Sequence, residues 1–403
     1  MSGGRRRGWL LAAAALFAAA SLWGCAQPAD GPARTLPQEG SVSMEGREED
    51  LSLDSEETER ETLEIFSDRE EAAEELPEYY LPQERQAPDG RVRSFLTGQL
   101  VEASVGNRRP VAVMMSNDRA ALPQYGINRA GVVYEAPVEG GMNRFMAIME
   151  DYDGLGRIGS VRSCRTYYIY FAREFDAVYA HYGQSTFAKP YLDSVDNING
   201  LESIGTTAYY RSSDKKSPHN AYTDGERLNR AIASLGYSQE YDPSYEGHYL
   251  FARDGTEISL EDRPGVMEAA SAQTGYTLNQ AYFVYSAEDG LYHRYQYGDV
   301  HRGDEGPVTA RNVIFQFCQS GCYASTEYLA FNVHTPEFGY FMTGGKAIPI
   351  GWEKEGEFGP TRYYDLNGRE VVLNQGQTWV CIFSTRDYDK LCIMDKDGVQ
   401  QGK

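Results

Sequence analysis

"VVYEAPVEGGMNRFMAI", residues 132–148, sets two apolar runs on either side of a Gly-Gly pair. The first, within "GVVYEAPVEGG", reads as a buried strand. The second, within "NRFMAIMEDYDG", alternates Phe145, Ala147 and Met149 with polar or smaller neighbours, the period of a strand. Working outward, "RPVAVMMSN" (109–117) reads as a further buried strand opened by Pro110. "RTYYIYFAREF" (165–175) reads as a helix, "DAVYAHYG" (176–183) as a strand, and "STFAKPYLDSV" (185–195) as a short helix interrupted by Pro190. This mixture gives an α+β or α/β N-terminal domain over 100–245.

From about Gln280 the texture changes. "AYFVYS", "LYHRYQYG", "NVIFQFC", "LAFNVHT" and "GYFMTGG" are short, aromatic and separated by turn residues. "TRYYDLNGREVVL" holds Asn367-Gly368 between two strand-like runs, a hairpin signal, and "TWVCIFS" follows as another strand. These predict a smaller, largely β C-terminal domain over 279–390, joined by a connecting segment at 246–278.

The chain has 403 residues, 41% of them hydrophobic, and a net charge of −21. Length and composition allow two folded domains. The charge is uneven: 40–89 carries 18 Asp/Glu against 4 Arg and no Lys, which leaves −9 for 90–403. We read 26–99 as an acidic disordered linker, with a coil reach of about 45–50 Å. The acidity offers no general attraction to nucleic acid or to anionic lipid.

Arg5, Arg6 and Arg7 precede an apolar run, Trp9–Trp23, that is too short to span a bilayer. A basic start and a short apolar core form a secretory signal. It ends in "LWGC", 22–25, which resembles the lipobox of bacterial lipoproteins, although Trp23 stands where a small residue is usual. Residues 1–25 are therefore read as a lipoprotein signal peptide with Cys25 as the lipidated, palmitate-bearing residue. The location expected is the cell membrane, lipid-anchored on the extracytoplasmic side. Five other cysteines remain: Cys164, Cys318, Cys322, Cys381 and Cys392. "CQSGC" could bring Cys318 and Cys322 together, and their pairing stays open.

"GRIGSVRSCRTYY", 156–168, gathers Arg157, Arg162 and Arg165 on a glycine- and serine-rich turn ahead of the predicted helix. Helix-entrance N–H groups and guanidinium forks both favour an anion. Internal pairing with the plentiful carboxylates is the competing reading. Glu135, Glu139, Asn143, Arg144, His181, Ser185, Arg211, Ser217, His219 and Asn220 stand in neighbouring loops or strand ends. Cys164 lies between two arginines, which should favour its thiolate, and an unpaired small core residue is the preferred competing reading. The G-x-S-x-G, H-E-x-x-H and phosphate-loop patterns are absent, and no metal or cofactor is expected.

Taken together, "RPVAVMMSN", "VVYEAPVEGGMNRFMAI", "RIGSVRSCRTYY", "AHYGQS" and "SPHNAYT" resemble the YerB-like bacterial lipoprotein family, a domain of unknown function in two parts. "ARNVIFQF", "TGGKAIPIGWEKEG" and "TRYYDLNGREVVLNQGQTWV" carry the C-terminal part, so the resemblance spans 101–384. Glu139, Gly140, Gly141, Arg144, Arg162, Arg165, His181, Pro218, His219 and Asn220 fall on its motif positions. The family pattern has proline where this chain has Ser160 and alanine where it has Cys164, which argues against Cys164 as a family nucleophile. The resemblance implies no activity.

The leading expectation is binding of an anionic envelope polymer, peptide or lipid head by Arg144, Arg162 and Arg165, with His181, His219 and Asn220 orienting it. An envelope-polymer hydrolase or transferase using His181 or His219 with Glu139 is the alternative. A third is a protein–protein scaffold at the membrane surface.

Overall fold

The structure, a computed structural model, describes residues 79–402. The signal peptide, Cys25 and most of the acidic linker lie outside the described residues. The linker expected over 26–99 ends earlier. Residues 79–99 fold against the body, where Val92 and Leu96 are buried and Arg93 pairs with Asp254 at 2.7 Å.

The described residues are mostly strand with few helices. The strands used below are β1 (Val111–Ser116), β2 (Val132–Pro137), β3 (Asn143–Met149), β4 (Val178–His181) and β5 (Asn197–Asn199). Then come β6 (Met267–Glu268), β7 (Ser271–Gln273), β8 (Tyr282–Ser286), β9 (Leu291–Gln296) and β10 (Asn312–Cys318). β11 (Glu337–Thr343), β12 (Lys346–Lys354), β13 (Thr361–Tyr364) and β14 (Thr378–Ser384) follow. The two longer helices are α1 (Thr166–Arg173) and α2 (Gly225–Leu235).

One 11-stranded sheet runs β6-β12-β11-β10-β14-β2-β3-β1-β4-β5, with β13 on the edge of β12. β14 pairs in parallel with both β10 and β2. The two expected domains therefore share a single sheet. The expected connecting segment, 246–278, is woven in as well: β6 joins this sheet and β7 a second sheet with β8, β9 and Cys392–Met394. The physical reason is the edge of β2, whose residues Val132–Ala136 are buried and whose open backbone groups need a partner strand.

Both faces of the main sheet are covered, which is why its central strands read as nearly continuous apolar runs. Val111, Val113, Val133, Phe145, Ala147 and Trp379 point to the face packed by α2 and the second sheet. Ala112, Met114, Tyr134, Met146, Val380 and Trp352 point to the face packed by α1. α2 follows from Asp224 as N-cap, the inward side chains of Leu228, Ala231 and Ile232, and Gly236 at φ 72° as its stop.

Charged groups are also sealed inside. Glu135 and Arg294, neither exposed, form an ion pair in which one guanidinium nitrogen, Nη2, reaches both carboxylate oxygens at 2.8 and 2.9 Å, joined by Asn143, Asn279 and Trp379. On the other face, Glu174 receives Lys354, His248 at 2.6 Å and both the N–H and hydroxyl of Thr361 at 3.1 Å. Among the described residues no helix is long and apolar enough to cross a membrane.

Candidate functional site

β1 and β4 pair in parallel as far as Val113 and Ala180. Beyond that point the arginine loop enters between them. Arg162 N–H donates to the Met114 carbonyl at 3.0 Å, and the Arg162 carbonyl accepts from Tyr182 N–H at 3.0 Å. Ser116 N–H reaches the Ser160 carbonyl, and Cys164 N–H reaches that of Gly183. The loop thus occupies the crevice at the carboxyl ends of two parallel strands, a common ligand position in such sheets. The predicted helix follows as α1, with Arg165 at its N-cap.

Arg144, on β3, stands opposite Ser116 of β1 and Ala136 of β2, at the same end of the sheet. The residue is 6% exposed, and its guanidinium donates to the Ser163 carbonyl at 2.5 Å. Burial first, then the charges of Arg165 and Arg162, push its pKa down to about 10. Arg162 donates to the Pro218 carbonyl at 3.1 Å, and burial and Arg165 lower its pKa too. Among the described residues neither Arg144 nor Arg162 has a carboxylate oxygen within 4.0 Å.

Arg165 differs. It grips Glu139 through two nitrogens, at 2.9 and 2.5 Å, and donates to the Cys164 carbonyl. Burial would raise the Glu139 pKa, but Arg165 outweighs it and the carboxyl titrates below its usual range. Glu139 is thereby committed as a counter-ion and is not a free base.

The histidines separate. The His219 Nδ1 lies 3.3 Å from the Ser116 hydroxyl, and its Nε2 lies 3.8 Å from Asp118. Burial lowers its pKa against the pull of Asp118, with Arg162 and Lys215 adding to the drop. His219 thus belongs to the arginine cluster. His181 does not join it. Its ring is buried, with Nδ1 at 2.8 Å from the Gly183 carbonyl and Nε2 at 3.2 Å from Asn197. Neither histidine forms a hydrogen bond or ion pair with Glu139, so the expected acid–base pair is not assembled. Asn220 accepts from Arg211 at 2.8 Å and orients that cation, whose charge Arg162 feels.

Other candidates have structural jobs. Arg157 pairs with Asp214 at 3.0 Å and lies over the rings of Tyr222 and Tyr125. Burial pushes the Cys164 thiol up to about 12, against the thiolate expected from its flanking arginines. Cys318 and Cys322 do not bridge: the first is buried and free, the second exposed and free.

Sequence reasoning passed over Ser116 and Asp118, although "MMSND" closes a strand with three polar side chains. It read "LAFNVHT" as a strand but did not bring to the site the arm that this strand, Leu329–Phe331, forms with Ser320–Cys322. Tyr323 on that arm donates to the Thr166 hydroxyl at 3.1 Å, and Tyr328 stands 5.3 Å from the Arg165 guanidinium.

The chain resembles known proteins over most of its length. It is 28% identical across 320 residues to the Bacillus subtilis (strain 168) protein named "Putative lipoprotein YerB", spanning 77% of this chain and 91% of that one. The crystal structure of the YerB protein from Bacillus subtilis matches with a TM-score of 0.65 at 26% identity, covering 75% of this chain and 100% of that chain. Family models match 96–238 as the N-terminal domain and 272–380 as the C-terminal domain of one family, described as protein of unknown function. The chain, with its one sheet built from both of those stretches, belongs to the DUF3048 family.

Proposed function

We propose that this chain is a lipid-anchored protein of the extracytoplasmic membrane face that binds an anionic envelope ligand at Arg144 and Arg162. The observation that carries the reading is Arg144, a cation 6% exposed with no carboxylate partner and two further arginines near it. Burying like charges together is costly, and a phosphate or carboxylate between them offsets that cost. The crevice position, the first turn of α1 and Arg211 add to the local positive field within a body whose net charge is negative.

Titration of the full chain with inorganic phosphate tests it. Binding weakens with rising salt, falls at least tenfold in Arg162→Ala, and is lost in the Arg144→Met/Arg162→Ala double variant while circular dichroism stays unchanged. Arg165→Ala is less informative, because Glu139 already neutralises it. Unchanged phosphate binding in the double variant removes the proposal.

The anchor rests on "LWGC" and on the lipoprotein name of the Bacillus relative. Cys25→Ser moves the protein from the membrane to the soluble fraction. Retention of that variant at the membrane counts against a lipid anchor.

Catalysis is a second reading, favoured by His219 lying between Ser116 and Asp118. In the same preparations it requires turnover of envelope-derived esters that His219→Ala abolishes.

A further inference from the structure

We infer that the ligand of the arginine site is a saccharide carrying the anionic group, with its ring seated on the aromatic arm. The inference rests on the anion reading of Arg144 and Arg162. Phe187 and Tyr323 stack face to face at 4.0 Å, and Tyr328 meets Phe187 edge-on at 5.7 Å. All three rings are only partly buried. They are brought to the site from both halves of the chain: Phe187 follows the segment that bridges to Cys164, and the tyrosines come on the arm docked to the first turn of α1.

Glu327 and Leu329, the chain neighbours of Tyr328, line a cavity of about 260 Å³, large enough for a sugar ring. Glu139, Gly140, Thr277, Glu327, Leu329 and Lys390 lie on its wall. Gly140 leaves its side of the wall clear, since a side-chain carbon there would meet nothing within 4 Å. Glu139 is shared: it holds Arg165 on the arginine side and lines the cavity on the other. A pyranose presents an apolar C–H face that stacks on aromatic rings and a rim of hydroxyls that donate to carboxylates. Partly exposed rings, carboxylate acceptors and adjacent guanidinium groups match a sugar ring joined to a phosphate or carboxylate. A flat anionic lipid surface fits poorly, because the exposed carboxylate of Glu327 at the same mouth opposes it, whereas a sugar hydroxyl can donate to that group.

The test compares inorganic phosphate, sn-glycerol 3-phosphate, N-acetylglucosamine 1-phosphate and neutral N-acetylglucosamine by calorimetry on the full chain. The sugar phosphate binds at least tenfold tighter than inorganic or glycerol phosphate. In Tyr328→Ala and in Phe187→Ala that ratio collapses toward one. Saturation-transfer NMR on the unaltered protein gives its strongest signals on the sugar ring protons, a readout independent of whether the variants fold. Equal affinity for sugar phosphate and glycerol phosphate overturns the ring subsite and leaves the anion site standing. Failure of every phosphate to bind overturns the anion reading itself.

Discussion

Arg294→Met lowers stability by about 3–5 kcal/mol, read as an earlier midpoint in chemical denaturation, because it strands a buried carboxylate. Neither partner of the Glu135–Arg294 pair is exposed. Asn143, Asn279 and Trp379 still donate to Glu135 after the change, but they carry no charge. The damage spreads further. Arg294 donates to His301 Nδ1 at 2.8 Å, His301 Nε2 reaches Gln124 at 2.6 Å, and Gln124 donates to the Ser116 carbonyl at 3.1 Å. Burial and the Arg294 charge hold His301 neutral, which suits its role as acceptor on one side and donor on the other. A Glu135→Leu/Arg294→Met double variant recovers most of the loss, since both charges are then gone. A loss under about 1 kcal/mol in the single variant would show that the pair does not tie the second sheet to the main one.

Lys354→Met has a comparable effect, about 3–5 kcal/mol at neutral pH, and it also changes the acid limb of the stability profile. Burial pushes the Glu174 carboxyl up, but Lys354 and His248 outweigh it and bring its pKa to about 2, below the ordinary 4.5. Between those values the unfolded chain binds the extra proton. Stability from Glu174 is therefore present above about pH 4.5 and is lost as the pH falls toward 2, by about 3 kcal/mol in all. Removing the ammonium lets the carboxyl titrate nearer its ordinary value, so the variant loses less on acidification than the parent does. Parallel denaturation series at pH 7 and pH 3 measure this. Equal acid sensitivity in the two proteins would mean that Lys354 does not set the Glu174 charge.

The strands were legible where both local signals and burial agreed. Val111–Ser116, Asn143–Met149 and Thr378–Ser384 are apolar runs that could only be buried, and each is a central strand. α1 was legible because "TYYIYFAR" follows a turn. α2 was missed, although Asp224, the Leu228–Ile232 spacing and Gly236 mark its start, face and stop. The shared sheet was not readable, because nothing local to Val132 or Thr378 says that they pair. At the site, Arg144, Arg162 and His219 could be chosen as residue types in loop contexts, but their sorting is a matter of partners. Glu139 claims Arg165, Asp214 claims Arg157, and Asn197 claims His181. Those pairings are set by long-range packing, which spacing does not encode.

The parallel seam between β2 and β14 has a bearing on how the chain is made. Val132 waits for Thr378, so the first half emerges from synthesis with a hydrogen-bonding edge that nothing upstream can close. Closing it draws in a long loop, which makes the seam a late event and a slow one. A premature stop before residue 378 would release a half-sheet with an adhesive border, a species that self-associates and is a ready substrate for quality-control proteases.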